Sequence, residues 1–403
     1  MRQILYVWNY REWGGAQIYF LSLMKEAKNE FLVTALLPYD SEPKILQYLR
    51  SLDVPFEFLP PSSKLNTRNG LIAKISRRFT ILQSENQLVK NLLTRNNLHD
   101  SIVHVDLGFW QSALALFRLS LKTNIFMTVH TALPSYTGWR KLRWKVKGNI
   151  LSRFSSFHLL ASNNDAKESV KPYISAEKFE EIEVTYSGID PHEITSVMEN
   201  LKPRFEILRK YGLPENKTIL MTVGQFIERK GCWVLLETLR QLKIAEGDFV
   251  FVWLSTTLPD AEILNRIDSY GLGDSFRVMS AEEIGETRHD LLTLLISADI
   301  FVMASLVEGL PIALIEAMAL GLPCIATSVN AIPEAIENEQ NGILVPPHDS
   351  LRLRTAISSL LYDPHKREIL GAAAKKTALE KFNAKITAER TMKLYNDVWK
   401  TRR

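Results

Sequence analysis

The sequence predicts an α/β protein of two facing doubly wound, Rossmann-like domains with a cleft between them. Three observations predict it. Short β-rich runs alternate with longer helical patterns, which implies parallel sheets covered by helices on both faces. The alternation occurs twice, on either side of the segment Asp190–Pro203. A chain of 403 residues is also too long for a single hydrophobic core.

The elements follow in order. Strands are expected near 3–8, 31–37, 55–59, 102–106, 125–130, 157–161 and 181–185, then near 218–223, 249–254, 275–279, 299–303, 322–327 and 342–345. Helical segments are expected at 15–29, 42–52, 84–97, 232–246, 260–270, 288–297 and 311–320, and a basic amphipathic helix from Ile386 on. The expected domains are 1–195 and 196–385, with 386–403 as a helix crossing back to the first domain. In open sheets of this kind ligands bind at the carboxyl ends of strands, where strand order reverses. The loops that follow strands are therefore the candidate sites.

Composition excludes several classes. Cys232 and Cys324 are far apart and belong to no CxxC or Cys/His cluster, which argues against a structural zinc or a disulfide framework. The start, Met1-Arg-Gln-Ile-Leu-Tyr-Val-Trp8, reads as a strand rather than a signal peptide. No apolar run approaches the roughly 20 residues that span a bilayer. The net charge of +4 is mild but uneven: residues 1–200 hold 24 Lys and Arg against 19 Asp and Glu, and residues 201–403 hold 25 against 26. No basic recognition motif or RNP-like aromatic pattern points to nucleic acid.

The most informative stretch is Glu308-Gly-Leu-Pro-Ile-Ala-Leu-Ile-Glu316. Pro311 is placed as the first residue of a buried helix, where a missing N–H costs nothing. Amides at Leu310 to Ile312 then face an anion at the positive helix end. Glu316 follows about 7 Å along the axis, at roughly 1.5 Å per residue. An elongated ligand fits this spacing, with an anionic middle and hydroxyl-rich groups for the two carboxylates. The blander reading is a helix cap and a carboxylate on a polar face.

Three further motifs stand after apolar strands. Gly224-Gln-Phe-Ile-Glu-Arg229-Lys230-Gly231 offers two fixed cations that can neutralise a diphosphate leaving group, or a turn with solvated basic residues. Asn9-Tyr-Arg-Glu-Trp-Gly14-Gly15 lets backbone approach a ligand and opens a helix, or is a plain tight turn. It is not the Gly-x-Gly-x-x-Gly fingerprint, which weakens a nicotinamide dehydrogenase reading. His130 ends the run Thr128-Val-His130, where a functional group or a satisfied structural histidine could sit.

At these residues the chain resembles the retaining GT-B glycosyltransferases of family 4 (glycosyltransferases group 1), most specifically over 218–349. Glu308 and Glu316 match the family's E-x7-E motif, Arg229 and Lys230 its basic pair, and Gly14 and Gly15 its N-terminal glycine turn. His130 matches a histidine bordering the reacting sugar. Ile332-Pro-Glu334 and Asn341-Gly-Ile-Leu-Val-Pro-Pro347 match its C-terminal segment. The resemblance implies that Glu308 contacts hydroxyls of the donor sugar and Glu316 holds the ribose. Backbone at Gly309, Leu310, Pro311 and Ile312 supports phosphates and sugar, backbone near Val278 holds the base, and Gly224 with Gly14 and Gly15 lies on the donor. It implies no metal and no cofactor, the nucleoside diphosphate sugar being the donor substrate. Ser255-Thr-Thr257, Ser280 and Asn330-Ala331 stand where the family usually has glycines.

Ser135 to Lys147 is dense in cations and tryptophan, and Lys64 to Arg78 is a second basic stretch. Basic residues interleaved with aromatics suit an anionic membrane surface or a phosphorylated lipid-linked acceptor, or form a solvated face. The expectation is a cytoplasmic hexosyltransferase, peripheral on the membrane, acting on a glycan, lipid-linked or small acceptor. Its rivals are a sugar-nucleotide epimerase or hydrolase of the same architecture, and a catalytically silent nucleotide-sugar-binding subunit.

Overall fold

The computed structural model describes the chain apart from residues 1, 9, 10, 12, 13, 60–81, 84, 96, 97, 107–112, 246, 247, 286, 402 and 403. The basic stretch Lys64 to Arg78 and most of the loop before Gly14 lie outside the described residues. The chain divides into two compact units, Met1–Ser187 with Ala384–Arg403, and Gly188–Asn383. The junction lies at Gly188, ahead of the 195/196 boundary expected from sequence. The reason is local: Asp190 caps the helix Pro191–Glu199, whose Glu193 pairs with Arg288 inside the second unit.

Unit 1 contains β1 (Gln3–Val7), helix α1 (Gly15–Ala27), β2 (Leu32–Leu37), β3 (Phe56–Phe58), β4 (Ser101–Asp106), β5 (Asn124–Val129), helix α2 (Gly138–Ser152), β6 (Phe157–Ala161) and β7 (Glu183–Val184). Its sheet is parallel, ordered β3-β2-β1-β4-β5-β6-β7. Every residue of β4 and β5 is buried, as expected of a parallel strand covered on both faces.

Alternation along the strands divides the core. Leu5, Val7, Val103 and Val105 face one cluster. Ile4, Tyr6, Ile102 and Phe126 face the other, with Met392, Tyr395 and Trp399 of the C-terminal helix Ala384–Thr401. That helix is thus part of the first unit's core. His104 lies on this face, where one ring nitrogen meets the Tyr395 hydroxyl and the other stands 2.7 Å from Thr128 Oγ1.

Unit 2 contains β8 (Thr218–Val223), helix α3 (Cys232–Ala245), β9 (Phe249–Leu254), β10 (Phe276–Met279), helix α4 (Arg288–Leu295), β11 (Ile300–Met303), helix α5 (Ile312–Ala319), β12 (Cys324–Thr327) and β13 (Ile343–Val345). Its parallel sheet runs β10-β9-β8-β11-β12-β13. Phe251, Trp253 and Val302 of the sheet pack with Leu235, Leu236 and Leu239 of α3. In both units the strand order reverses at one place: between β1 and β4, and between β8 and β11.

Burial holds the pKa of His104 well below its ordinary value of 6.5, with the nearby His130 adding to the effect. The folded chain therefore refuses a proton that the unfolded chain binds below that pH. Stability must fall as pH drops from about 6.5 towards the folded-state value, and be flat with respect to this group above it. Denaturant titrations between pH 5 and 7.5 should show this slope, and His104→Gln should reduce it even though it lowers stability at pH 7.5.

Candidate active site

The switch point of unit 2 holds the tightest cluster of charged groups from the sequence reading. β8 ends at Val223, and Gly224 leaves it with φ 153°, a conformation that favours glycine. Its carbonyl accepts from Trp253 Nε1 at 2.7 Å, and a Cβ would meet Lys230 Cε at 3.3 Å. The chain makes a single 3-10 turn, Glu228–Lys230, and passes through Gly231 with φ 72° into α3. A Cβ on Gly231 would lie 1.8 Å from the Ala304 carbonyl oxygen, just after β11. Leu306 N also donates to Arg229 O at 2.8 Å. The loops after β8 and β11 are thus fastened backbone to backbone.

That fastening sets the charges. Glu308 is 5% exposed. Its Oε1 receives Lys230 Nζ at 2.5 Å and the Ser305 hydroxyl at 2.7 Å. Arg229 Nη1 stands 3.6 Å from Oε2 and donates to the Val307 carbonyl at 3.0 Å. The Arg229 side chain keeps about half of its surface exposed, at 48%. One oxygen of a buried carboxylate is satisfied twice, while the Arg229 guanidinium stays open to an anion.

Pro311 is the cap of α5 rather than its first residue: its backbone is extended, and Leu314 and Ile315 donate back to its carbonyl at 3.1 and 3.3 Å. The missing N–H is as harmless at a cap as one position later. Gly309 and Leu310 lie in the turn that enters the helix and Ile312 is its first residue, with Leu310 and Ile312 buried. Val278, on β10 beside Trp253 of β9, is half-buried.

Glu316 joins a second cluster. It is 3% exposed and pairs with Arg288, whose Nε also stands 2.7 Å from Glu193 Oε2. Sequence reasoning missed Arg288, along with Ser305 and Asn330. Asn330 was noted only as a departure from glycine. It adopts φ 46°, in the left-handed region, and its Oδ1 accepts from Glu308 N at 3.1 Å. Asparagine tolerates that conformation and adds an acceptor that glycine lacks. Ser280, a second departure, caps the helix Ala281–Ile284 in a reciprocal capping box with Glu283.

In unit 1, His130 follows β5 and Asp106 ends β4. His130 Nε2 lies 3.4 Å from Asp106 Oδ2. The ring packs edge-on against Tyr19 of α1, with centroids 4.9 Å apart. Burial lowers the His130 pKa and Asp106 partly opposes this, so the imidazole is neutral at pH 7. Asp106 was missed, although it ends its apolar run as His130 ends the next. Gly14 caps α1 in extended backbone that any residue adopts, so what argues for glycine there is room: a Cβ would meet Gln17 Oε1 at 3.3 Å. Gly15 is the exposed first residue of α1.

Among the described residues, no group of three or more His, Cys, Asp or Glu is placed to hold a metal ion. Both cysteines are buried free thiols, and burial pushes Cys232 up to about 11.

Two parallel doubly wound units with these switch points define the GT-B architecture of glycosyltransferases. Residues 203–377, most of the second unit, match the family model "Glycosyl transferases group 1". A glycosyltransferase from Rickettsia africae has the same fold, with a TM-score of 0.77 over 99% of both chains at 19% identity. Anabaena HepE, solved in complex with UDP, gives 0.74 over 98% of this chain and 100% of its own at 17% identity. A Methanocaldococcus jannaschii protein described as an uncharacterized glycosyltransferase is 27% identical over 246 residues. The chain spans 61% of that relative's length in the match, which is also 61% of its own.

Removing Arg288 would leave a buried carboxylate without its counter-charge. Arg288→Met should cost about 3–5 kcal/mol. Glu316→Gln in the same chain should recover much of the loss, as read from urea midpoints at pH 7.

Proposed function

We propose that the protein is a retaining, metal-independent glycosyltransferase, peripheral on the cytoplasmic face of a membrane. It moves a hexose-type sugar from a nucleoside diphosphate sugar to a glycan, lipid-linked or small-molecule acceptor. The observation that carries this reading is the set of two cations held against buried Glu308 at the switch point of unit 2. An arriving diphosphate competes with Glu308 for Lys230 and Arg229. Its binding would release carboxylate oxygens to accept from sugar hydroxyls, so phosphate and sugar recognition are coupled through one ion pair.

In the reaction the anomeric C–O bond to the phosphate breaks while the acceptor oxygen bonds on the same face. The acceptor proton passes to the departing phosphate oxygen. Lys230 and Arg229 stabilise the charge that grows on the leaving diphosphate. Glu316 takes the ribose, the Gly309–Ile312 backbone the phosphates and sugar, and backbone near Gly224 and Val278 the rest of the nucleotide. Gly14 and Gly15 belong to the donor. Neutral His130, beside Asp106, is suited to hydrogen-bond a hydroxyl of the reacting sugar without adding charge. Since the HepE structure holds UDP, UDP sugars are the first donors to try.

Thermal unfolding with UDP, GDP and ADP sugars should show one series raising the melting temperature, by mass action worth about 2.7 kcal/mol at a hundredfold excess over Kd. Lys230→Ala should reduce kcat/KM about 10²–10³-fold, the scale of losing one charge-stabilising donor. EDTA should leave turnover unchanged, and NMR should show the donor's anomeric configuration in the product. Release of free sugar without transfer would favour the hydrolase or epimerase reading. Donor binding with a biological role untouched by Lys230→Ala would favour a silent subunit. If no nucleotide sugar stabilises the protein, the reading fails.

A further inference from the structure

Helix α2 has two apolar faces, and the rest of unit 1 covers only one. On the inner side Lys147 and Leu151 are buried and Trp144 is half-buried, stacked on Tyr136 with centroids 5.7 Å apart. Gly148 fixes the helix there: a Cβ would lie 1.9 Å from the Tyr173 carbonyl oxygen. No rotation about the helix axis is available that would turn this side outward.

The opposite side carries Trp139, Leu142, Val146 and Ile150, at 84, 49, 50 and 41% exposure. At about 100° per residue these four fall within roughly 80° of one another, centred opposite Gly148. The stripe runs about 17 Å along the helix. Arg143 borders one edge and Lys145 lies about 60° beyond the other, while Arg140 and Lys141, in the first turn, project roughly 120–140° from the centre of the stripe; all four are exposed. The sequence has no acidic residue between Asp106 and Asp165, while Arg118, Lys122, Arg140, Lys141, Arg143, Lys145, Lys147 and Arg153 fall in that interval.

We propose that the outward face of α2 is a docking surface for an anionic lipid bilayer, the helix lying in the plane of the interface. A narrow apolar stripe with an aromatic at one end, Arg143 at one edge and Lys145 set back from the other matches a bilayer's own layering. The stripe meets acyl chains, the indole sits at headgroup depth, and the cations meet lipid phosphates. Charge complementarity selects the partner: a surface with several cations and no acid along this stretch fits a continuous field of negative charge. Among the described residues no helix is long and apolar enough to cross a membrane. The inference names the partner surface behind the peripheral association proposed above. Its readout is binding, so it can fail or stand whether or not sugar transfer is found.

The test is co-sedimentation of the full chain with vesicles of phosphatidylcholine alone or containing phosphatidylglycerol. The expected result is binding to the anionic vesicles, weakened by salt, and roughly tenfold or more weaker to neutral ones. Trp139→Ser with Val146→Ser should abolish it, as should Arg143→Glu with Lys145→Glu, with unchanged melting temperatures because all four side chains are exposed. Lys230→Ala should bind vesicles as the parent does. Equal binding to neutral vesicles, no binding at low salt, or retention by both double variants would overturn the proposal. So would a lipid-free dimer that the Trp139/Val146 variant dissolves, which would give the stripe to a second copy of the chain.

Discussion

The contact between Lys230 and Glu308 is the constraint on which the candidate site depends. Their loops leave adjacent strands, β8 and β11, from which the chain proceeds in opposite directions across the sheet. Left to themselves, such loops diverge. A buried carboxylate without a partner would be strongly destabilising, so once Glu308 is placed, a cation has to come to it. Gly231 makes the approach possible by leaving no Cβ at Ala304 O, and the Leu306–Arg229 backbone bond locks it. Preformed charge is the result. Two cations are held in place before any ligand arrives, so little ordering of long side chains would remain to be done on binding an anion.

Unit 1 builds its switch-point region with the opposite economy of charge. Where unit 2 gathers cations around a carboxylate, unit 1 buries Asp106 beside a histidine whose pKa burial lowers. One arrangement attracts anions, and the other presents a largely uncharged, orientable hydrogen-bonding group. The same layout of strands therefore supports two chemistries. The difference lies in a few side chains at strand ends, where the parallel sheet leaves the carboxyl-terminal loops free to vary.

The layered architecture was legible because parallel strands covered on both faces read as unbroken apolar runs. Phe249–Leu254 and Asn124–Val129 could hardly be anything else. The candidate motifs were legible because glycine and proline punctuate the loops after strands. What could not be read were the partners. Ser305, Asn330 and Asp106 act through contacts that chain order does not reveal. Asn330 looked like a missing glycine, yet it keeps the left-handed backbone and adds a hydrogen bond to Glu308. On α2 the density of tryptophan and cations was visible. Which face the protein covers depends on Gly148 meeting Tyr173, a long-range contact that no periodicity encodes.

Arg288 shows how such a partner can be recognised. It is the first residue of α4, directly after a cap in which Thr287 and Asp290 satisfy each other. A helix N-terminus disfavours a cation because the unpaired amides there carry partial positive charge. Arg288 is therefore kept against the local rule, and the gain that offsets this must come from elsewhere in the fold. It comes from Glu316 of α5 and Glu193, which it draws together between three separate helices. A charged residue in the wrong place for its own helix is thus a usable signal. It points to a buried opposite charge from another element, and here that charge is the second carboxylate of the pair that first marked the site.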